Sequence, residues 1–156
     1  MAYHDELLSQ ALSLVHSTPE NQASLRRAVS SAYYAVFHLL IAEATLNWNN
    51  AVLRAALGRA FDHGPMKQAS SRVANPQVSP YPGEDPQVVD GLRFVALTFA
   101  QLQEDRHFAD YNLTKNISAI DALAQVKSAE KVFQVWPSLR VSHIAQEYLV
   151  SLVVKR

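Results

Sequence analysis

Cysteine is absent from this chain of 156 residues, which excludes a disulfide framework and any thiolate metal site. That composition is typical of a cytoplasmic protein, and we expect this localisation. Neither sign of charge is in excess, because 14 Lys and Arg residues balance 14 Asp and Glu residues. Without a general basic field we expect no DNA binding, and any contact with RNA is expected to be local.

Long apolar runs and glycine-rich loops are also missing. The longest apolar stretches fall far short of the roughly 18 residues that cross a bilayer. Asp5 and Glu6 lie where a secretory signal would have a basic start followed by apolar residues. The 4 glycines form no phosphate loop, and the 6 histidines are scattered without a metal-binding spacing. The sequence therefore predicts no membrane partner, no metal and no cofactor.

Apolar residues recur with helical spacing along most of the chain, and no run alternates convincingly with a period of two. At this length a single domain is expected to bury about two-thirds of the surface of its unfolded chain. We predict one domain over residues 1–156 that is all-α, an antiparallel bundle of five to seven helices. The predicted helices cover residues 4–15, 19–46, 51–61, 65–73, 86–111, 119–136 and 138–154.

Local signals predict several helix ends. Ser17-Thr18-Pro19-Glu20 offers a hydroxyl cap and a first-turn proline for the second helix. Ser118 and Asp121 resemble a capping box, and Pro137 is predicted to end or kink the helix that they begin. Residues 75–86 contain four of the 7 prolines, and we interpret this segment as a surface loop that crosses the bundle.

A regular apolar stripe on the helix over 86–111 is interrupted by an arginine. The stripe consists of Val88, Leu92, Val95, Phe99 and Leu102, which step by three or four residues. The next step is Arg106, followed one turn later by Asp110 and then by Tyr111. An arginine in line with buried residues requires an acid, an aromatic hydroxyl, a phosphate or a partner chain to satisfy its donors. The alternative is a helix end at the surface, where Arg106 is solvated or paired with Asp110.

A polar stripe runs along the central helix, whose middle is otherwise apolar nearly all round. Its members are Arg27, Ser31, Tyr34 and His38, spaced by four, three and four residues. This spacing places them on one face, which can look towards Arg106 across the bundle. A histidine such as His38 is alternatively a hydrogen-bonded residue of the core or of an interface.

Two more histidines are candidates for the same site. His63 lies in a Gly-Pro turn, where the alternative is a solvated side chain. His107 follows Arg106 directly, but successive residues of a helix point about 100° apart, so it cannot simply act on the Arg106 face. Residues 54–72 contain four basic side chains against one acid, which is either a phosphate-facing patch or an ordinary solvated hairpin.

Two segments in this order resemble a known family. SLRRAVSSAYYAVFHLL is similar to the first core helix of the HEPN domain, and RHFADYN, about 70 residues later, is similar to the arginine motif of its small bacterial members. The resemblance covers about residues 20–135. It implies a four- or five-helix antiparallel bundle that is usually dimeric and is often encoded beside a nucleotidyltransferase. Several members are metal-independent ribonucleases.

The chain departs from the ribonuclease members at one point. In those members four to six residues separate the arginine from a histidine, whereas here the fifth, sixth and seventh positions after Arg106 are Tyr111, Asn112 and Leu113. Cleavage of RNA without a metal ion needs a base that takes the proton of the ribose 2′-OH. Imidazole suits this role because it titrates near neutral pH, whereas the ordinary pKa of tyrosine, about 10, is too high. We therefore expect slow or absent cleavage, with His38 or His107 as the alternative source of a base.

The sequence thus predicts a HEPN-like protein that binds RNA or a nucleotide phosphate in a dimer cleft, as the toxin-like member of a toxin–antitoxin or defence pair. Arg106 is expected to hold the phosphate, Asp110 to orient Arg106 and Tyr111 to donate a hydrogen bond. The supporting binding residues are expected to be Arg27, Tyr34, His38, His63 and His107. The alternative is a non-catalytic dimerisation or interaction module with the same polar cluster.

Apolar residues of the central and last helices also predict a homodimer. Tyr33, Phe37 and Leu40, together with residues 149–154, offer more apolar surface than one small bundle is expected to hide. A second copy of the chain would cover this surplus. A nucleotidyltransferase is the further protein partner that the resemblance implies.

Overall fold

The fold is all-α, as the periodicity predicted. A computed structural model describes residues 1–17 and 19–154, and within these ranges it contains seven α-helices and no β-strand. The helices are α1 Tyr3–Val15, α2 Gln22–Ala44, α3 Ala51–Gly58, α4 His63–Ala74, α5 Pro86–Tyr111, α6 Ala119–Leu139 and α7 His143–Ser151. None of these seven helices is both long and apolar enough to cross a lipid bilayer.

The start of α2 is set by an asparagine cap. The side chain of Asn21 accepts a hydrogen bond from the backbone N–H of Ser24, so α2 begins at Gln22 and not at residue 19. The predicted hydroxyl cap at Ser17 is wrong, because this hydroxyl donates to a carbonyl one turn back in α1. Thr18, the other hydroxyl of the predicted cap, lies outside the described residues.

The end of α6 differs from the prediction. Ser118 caps the start of α6 as expected, but Pro137 does not end the helix, which continues to Leu139. A proline this close to a helix end removes only one hydrogen bond. Trp136 and Leu139 are both buried, so their packing holds the last turn in place. The last helix consequently begins at residue 143 instead of residue 138.

The centre of the bundle is α2, which packs against α1, α5, α6 and α7. Tyr33, Phe37 and Leu40 lie in this core with exposures of 0%, 8% and 0%. The leucines of residues 149–154 also face inward. One chain therefore hides most of the apolar surface on which the homodimer prediction was based, and the homodimer remains a prediction without that support.

Arg26 ties the first turns of α2 to the end of α5. Its Nη1 donates to the carbonyls of Ala109 at 2.9 Å and Asn112 at 2.7 Å, and its Nη2 donates to that of Lys115 at 2.6 Å. The last carbonyls of a helix have no partner within the helix, and they carry partial negative charge. The guanidinium of Arg26 donates hydrogen bonds to these carbonyls and also brings positive charge to the negative end of the helix. Arg26 therefore stabilises the end of α5 at this position.

Gln22 adds a second tie between the same parts of the chain. Its side-chain amide donates to the Ile117 carbonyl at 2.7 Å and accepts from the Ile117 N–H at 2.9 Å. The connection from α5 to α6 is therefore held to α2 by side chains from α2's first two turns. This arrangement positions the last turns of α5, where the predicted site residues lie.

We expect Arg26→Met to lower the free energy of unfolding by about 1.5–3 kcal/mol, because methionine keeps the apolar stem and removes the charged donors. Urea denaturation followed by circular dichroism measures this change. Arg27→Met is the matched control, since the neighbouring Arg27 is exposed, and it should stay within about 0.5 kcal/mol of the wild type. Equal effects of the two substitutions would contradict the proposed clamp.

Candidate anion site around Arg106

The side chain of Arg106 lies inside the bundle against two tyrosines of α2. Only 11% of it is exposed. Its Cζ lies 5.1 Å from the ring centroid of Tyr33 and 5.7 Å from that of Tyr34, which are cation–π distances. The guanidinium is therefore not part of a solvated helix end.

The hydrogen-bonding capacity of Arg106 is incompletely used. Its Nη1 lies 3.8 Å from the Asp110 carboxylate, which is close enough for charge attraction and too long for a hydrogen bond. Its Nε is buried and has no hydrogen-bond partner among the described residues. A desolvated donor without a partner costs free energy. A ligand oxygen that accepts a hydrogen bond from Nε would remove this cost.

Asp110 lies near both Arg106 and Ser30 of the central helix. Its side chain is 30% exposed, and the hydroxyl of the buried Ser30 lies 3.4 Å from the same carboxylate oxygen. Ser31, which the polar stripe included, instead donates to Gln10 of α1 at 3.0 Å. Of the predicted stripe, Tyr34 thus faces Arg106 and Ser31 faces α1, and Ser30 takes the place towards Asp110.

His63, at the start of α4, joins the site through Tyr33. The Tyr33 hydroxyl lies 2.5 Å from His63 Nδ1, and the Phe37 ring stacks on the imidazole with centroids 4.5 Å apart. Burial raises the pKa of Tyr33 despite the opposing charge of Arg106, so the phenol keeps its proton. Burial, followed by the charge of Arg106, lowers the pKa of His63, so its imidazole is neutral at pH 7.

His38 is placed further along α2, beside α1. Its ring lies edge-on to Tyr3 at 4.9 Å, and the rings of Tyr34 and His38 are 6.5 Å apart. The pKa of His38 is lowered first by burial and then by His4 and His63. His38 is therefore a half-buried neutral residue of an aromatic row that leads away from Arg106.

Three predicted residues do not join this cluster. Tyr111 is 67% exposed and contacts the ring of His107, with centroids 4.9 Å apart. Tyr111 follows Arg106 by five residues, which corresponds to about 140° around the helix axis, so the two side chains lie on different faces of α5. Arg27 is exposed on α2. The structure thus brings together Arg106, Asp110, Tyr34 and His63, and it separates them from Tyr111, His107 and Arg27.

Sequence reasoning missed Ser30 and Tyr33 as members of the site. The signal was present, because Ser30 precedes Tyr33 by three residues and Phe37 by seven, a spacing that shares one helical face. Tyr33 had been assigned to surplus apolar surface. A buried tyrosine, however, requires a partner for its hydroxyl, and here that partner is His63.

The basic stretch over residues 54–72 is partly neutralised, because Lys67 pairs with Glu104 of α5 at 2.9 Å. Within the described residues, no group of three His, Cys, Asp or Glu side chains is arranged to hold a metal ion.

No protein-family model matches this chain, and no curated protein or solved structure matches it either. The HEPN resemblance therefore remains a prediction that rests on its two sequence segments.

We expect the protein to lose stability as the pH falls below about 6.5, the ordinary pKa of histidine. The folded-state pKa of His63 is below the ordinary value of 6.5, so the unfolded chain binds more protons in the window between the two values. Chemical denaturation at a series of pH values measures this slope. His63→Asn should make the slope shallower, and the exposed His16→Asn should leave it as in the wild type. An unchanged slope in His63→Asn would rule out this assignment.

Proposed function

We propose that this chain is a HEPN-like protein that binds a phosphate of RNA or of a nucleotide at Arg106, in a cleft completed by a second copy of the chain. The observation that carries this proposal is the nearly buried guanidinium of Arg106, whose nearest carboxylate is 3.8 Å away and whose Nε has no partner among the described residues. In the paired system that the resemblance implies, this chain would be the toxin-like member, with a nucleotidyltransferase as its partner.

The geometry around Arg106 suits a phosphate. A guanidinium presents parallel N–H donors that match two phosphate oxygens. The rings of Tyr33 and Tyr34 cover the guanidinium, so an anion that reaches it interacts in a partly dry environment. Asp110 offsets part of the positive charge of Arg106 and limits how far the guanidinium moves.

His63 supplies a second donor to the same ligand. The Tyr33 hydroxyl is protonated and lies within hydrogen-bond distance of His63 Nδ1, and we propose that it donates to this nitrogen, which places the ring proton of His63 on Nε2. A neutral imidazole with Nε2–H donates a hydrogen bond without adding charge. In this tautomer it cannot accept a proton from a ribose 2′-OH, because Nδ1 is engaged and Nε2 is already protonated. Binding with slow or absent cleavage is therefore the activity that we propose.

A second candidate function, a non-catalytic interaction module, is favoured by one exposed apolar segment. Leu46, Trp48, Val52 and Leu53 are between 50% and 77% exposed, and α3 contains no buried residue. A helix of eight residues is marginal in isolation, so a partner surface would stabilise it. We call residues 46–53 the α3 apolar segment.

We expect Arg106→Ala to weaken binding of a short single-stranded RNA or of a nucleotide by about tenfold or more. Arg106→Lys keeps the charge and loses the planar fork, so a bidentate contact predicts a loss of at least about fivefold. Fluorescence anisotropy and calorimetry measure both ligands. Lys127→Ala on α6 is the matched control for the loss of one exposed positive charge, and it should bind as the wild type does.

Two outcomes would overturn the phosphate proposal. The first is wild-type protein that binds neither ligand at about 100 µM, which would leave the interaction module as the function. The second is rapid, Arg106-dependent RNA cleavage in the presence of EDTA. This result would contradict the expected slow or absent cleavage and identify the protein as a metal-independent ribonuclease. The same samples therefore serve for a cleavage assay.

We also expect light scattering to report a homodimer at concentrations of about 50 µM. Leu53→Asp places a charge in the α3 apolar segment and tests which surface forms the dimer. If the two copies meet at the Arg106 cleft, this variant stays dimeric. Val141→Asp is the matched control, because Val141 is 90% exposed and lies outside this segment. If Leu53→Asp is a monomer and Val141→Asp is a dimer, the α3 apolar segment is the dimer surface. A wild-type monomer would remove the cleft.

A further inference from the structure

An open groove of about 690 Å³ lies between α4, α7 and the proline-rich loop that joins α4 to α5. Its apolar walls are formed by Val73 of α4, by Val78, Pro80 and Tyr81 of the loop, and by Val150 and Val154 near the end of the chain. Small-molecule sites commonly have this size and this apolar character, with a few polar groups at defined positions. The groove is separate from the residues of the Arg106 site.

The loop wall of the groove is fixed by specific contacts. Arg93 of α5 donates to the Ser79 carbonyl at 2.8 Å, and its guanidinium lies 5.9 Å from the centroid of the Tyr81 ring. The Ser79 hydroxyl donates to the Arg72 carbonyl at 3.0 Å. Tyr81 has a φ of 49°, a left-handed conformation that costs free energy in any residue with a side chain. These contacts hold a strained residue where its ring forms a wall.

Tyr148 of α7, which also lines the groove, is fixed by a hydrogen bond. The hydroxyls of Ser70 on α4 and Tyr148 on α7 are hydrogen-bonded at 2.8 Å, and both residues are buried. Burial raises the pKa of Tyr148, so this hydrogen bond joins two neutral groups over the whole physiological range. The groove therefore exists before any ligand arrives, which lowers the entropic cost of binding.

One arginine and one glutamate line the groove, and they differ in their ion-pair partners. Among the described residues one carboxylate lines the groove, that of Glu147, and its Oε1 lies 2.8 Å from Nε2 of His143. On the α4 side, Arg72 also lines the groove, and no described acidic side chain lies within ion-pair distance of it. Burial raises the pKa of Tyr81, so its hydroxyl remains a neutral donor.

We propose that this groove binds a small apolar molecule that carries one carboxylate or sulfonate group. The apolar body lies against Val73, Tyr81 and Val150, and the anionic group pairs with the guanidinium of Arg72. This proposal does not depend on the function proposed for the Arg106 site.

Two fluorescent probes with the same ring system test the proposal. Anilinonaphthalene sulfonate carries the anion, and N-phenyl-1-naphthylamine lacks it. We expect both probes to bind the folded wild type, with the sulfonate roughly threefold tighter, the size of effect that an exposed ion pair gives. Arg72→Gln should weaken binding of the sulfonate roughly threefold and leave that of the neutral probe unchanged.

Val150→Asp and Val141→Asp form a matched pair that locates the site. Val150 lines the groove and is 59% exposed, whereas Val141 does not line it and is 90% exposed, so both changes are expected to leave the fold intact. Circular dichroism checks that they do. Val150→Asp should weaken both probes at least about fivefold, and Val141→Asp should weaken neither. Equal binding by the two variants would place the probes elsewhere and overturn the site. Equal affinity of wild-type protein for the two probes would overturn the preference for an anion.

Discussion

The contact between Arg26 and the end of α5 is the constraint on which the placement of the candidate site depends. It fixes the last turn of α5 to the first turns of α2, and the two helices then run in opposite directions. From Arg26 the backbone of α2 advances by about 10 Å to Tyr33, and from Asn112 the backbone of α5 recedes by about 9 Å to Arg106. Because these distances nearly match, the guanidinium of Arg106 meets the tyrosine ring.

Burial then determines which groups of the site carry charge. The desolvated Tyr33 keeps its proton and the desolvated His63 gives its proton up, so two groups that face each other are both neutral. The positive charge of Arg106 favours this outcome at His63 and opposes it at Tyr33, where burial has the larger effect. The charges that act on this pair are those of Arg106 and of Asp62, the residue before His63. Asp110 lies 3.8 Å from the Arg106 guanidinium, a separation that leaves the guanidinium partly unsatisfied.

The sequence predicted the existence of the helices better than their ends and faces. A stripe of three- and four-residue steps persists over many turns, so it identifies a helix reliably, and it also led to Arg106. The end of a helix depends on which nearby side chain bonds the free backbone groups, and at α2 this side chain was Asn21. The polar stripe that begins at Arg27 predicts the face of α2 only in part, because Tyr34 lies against Arg106 whereas Ser31 faces α1 and Arg27 is exposed. The orientation of α2 is decided by four neighbouring helices together, which place Ser30 towards α5.

Because α3 contains no buried residue, we expect it to unfold locally and not together with the rest of the bundle. Leu57 and Gly58 are the half-buried positions of this helix, whereas the adjoining Thr45 and Phe61 are buried at either side of it. Opening of the segment between these two anchors therefore exposes little apolar surface and breaks few long-range contacts. Its amide hydrogens should exchange with solvent through local fluctuations, while those of α2 require global unfolding. The chain thus carries a low-stability unit on a rigid bundle, and this unit can reorganise without a loss of the core.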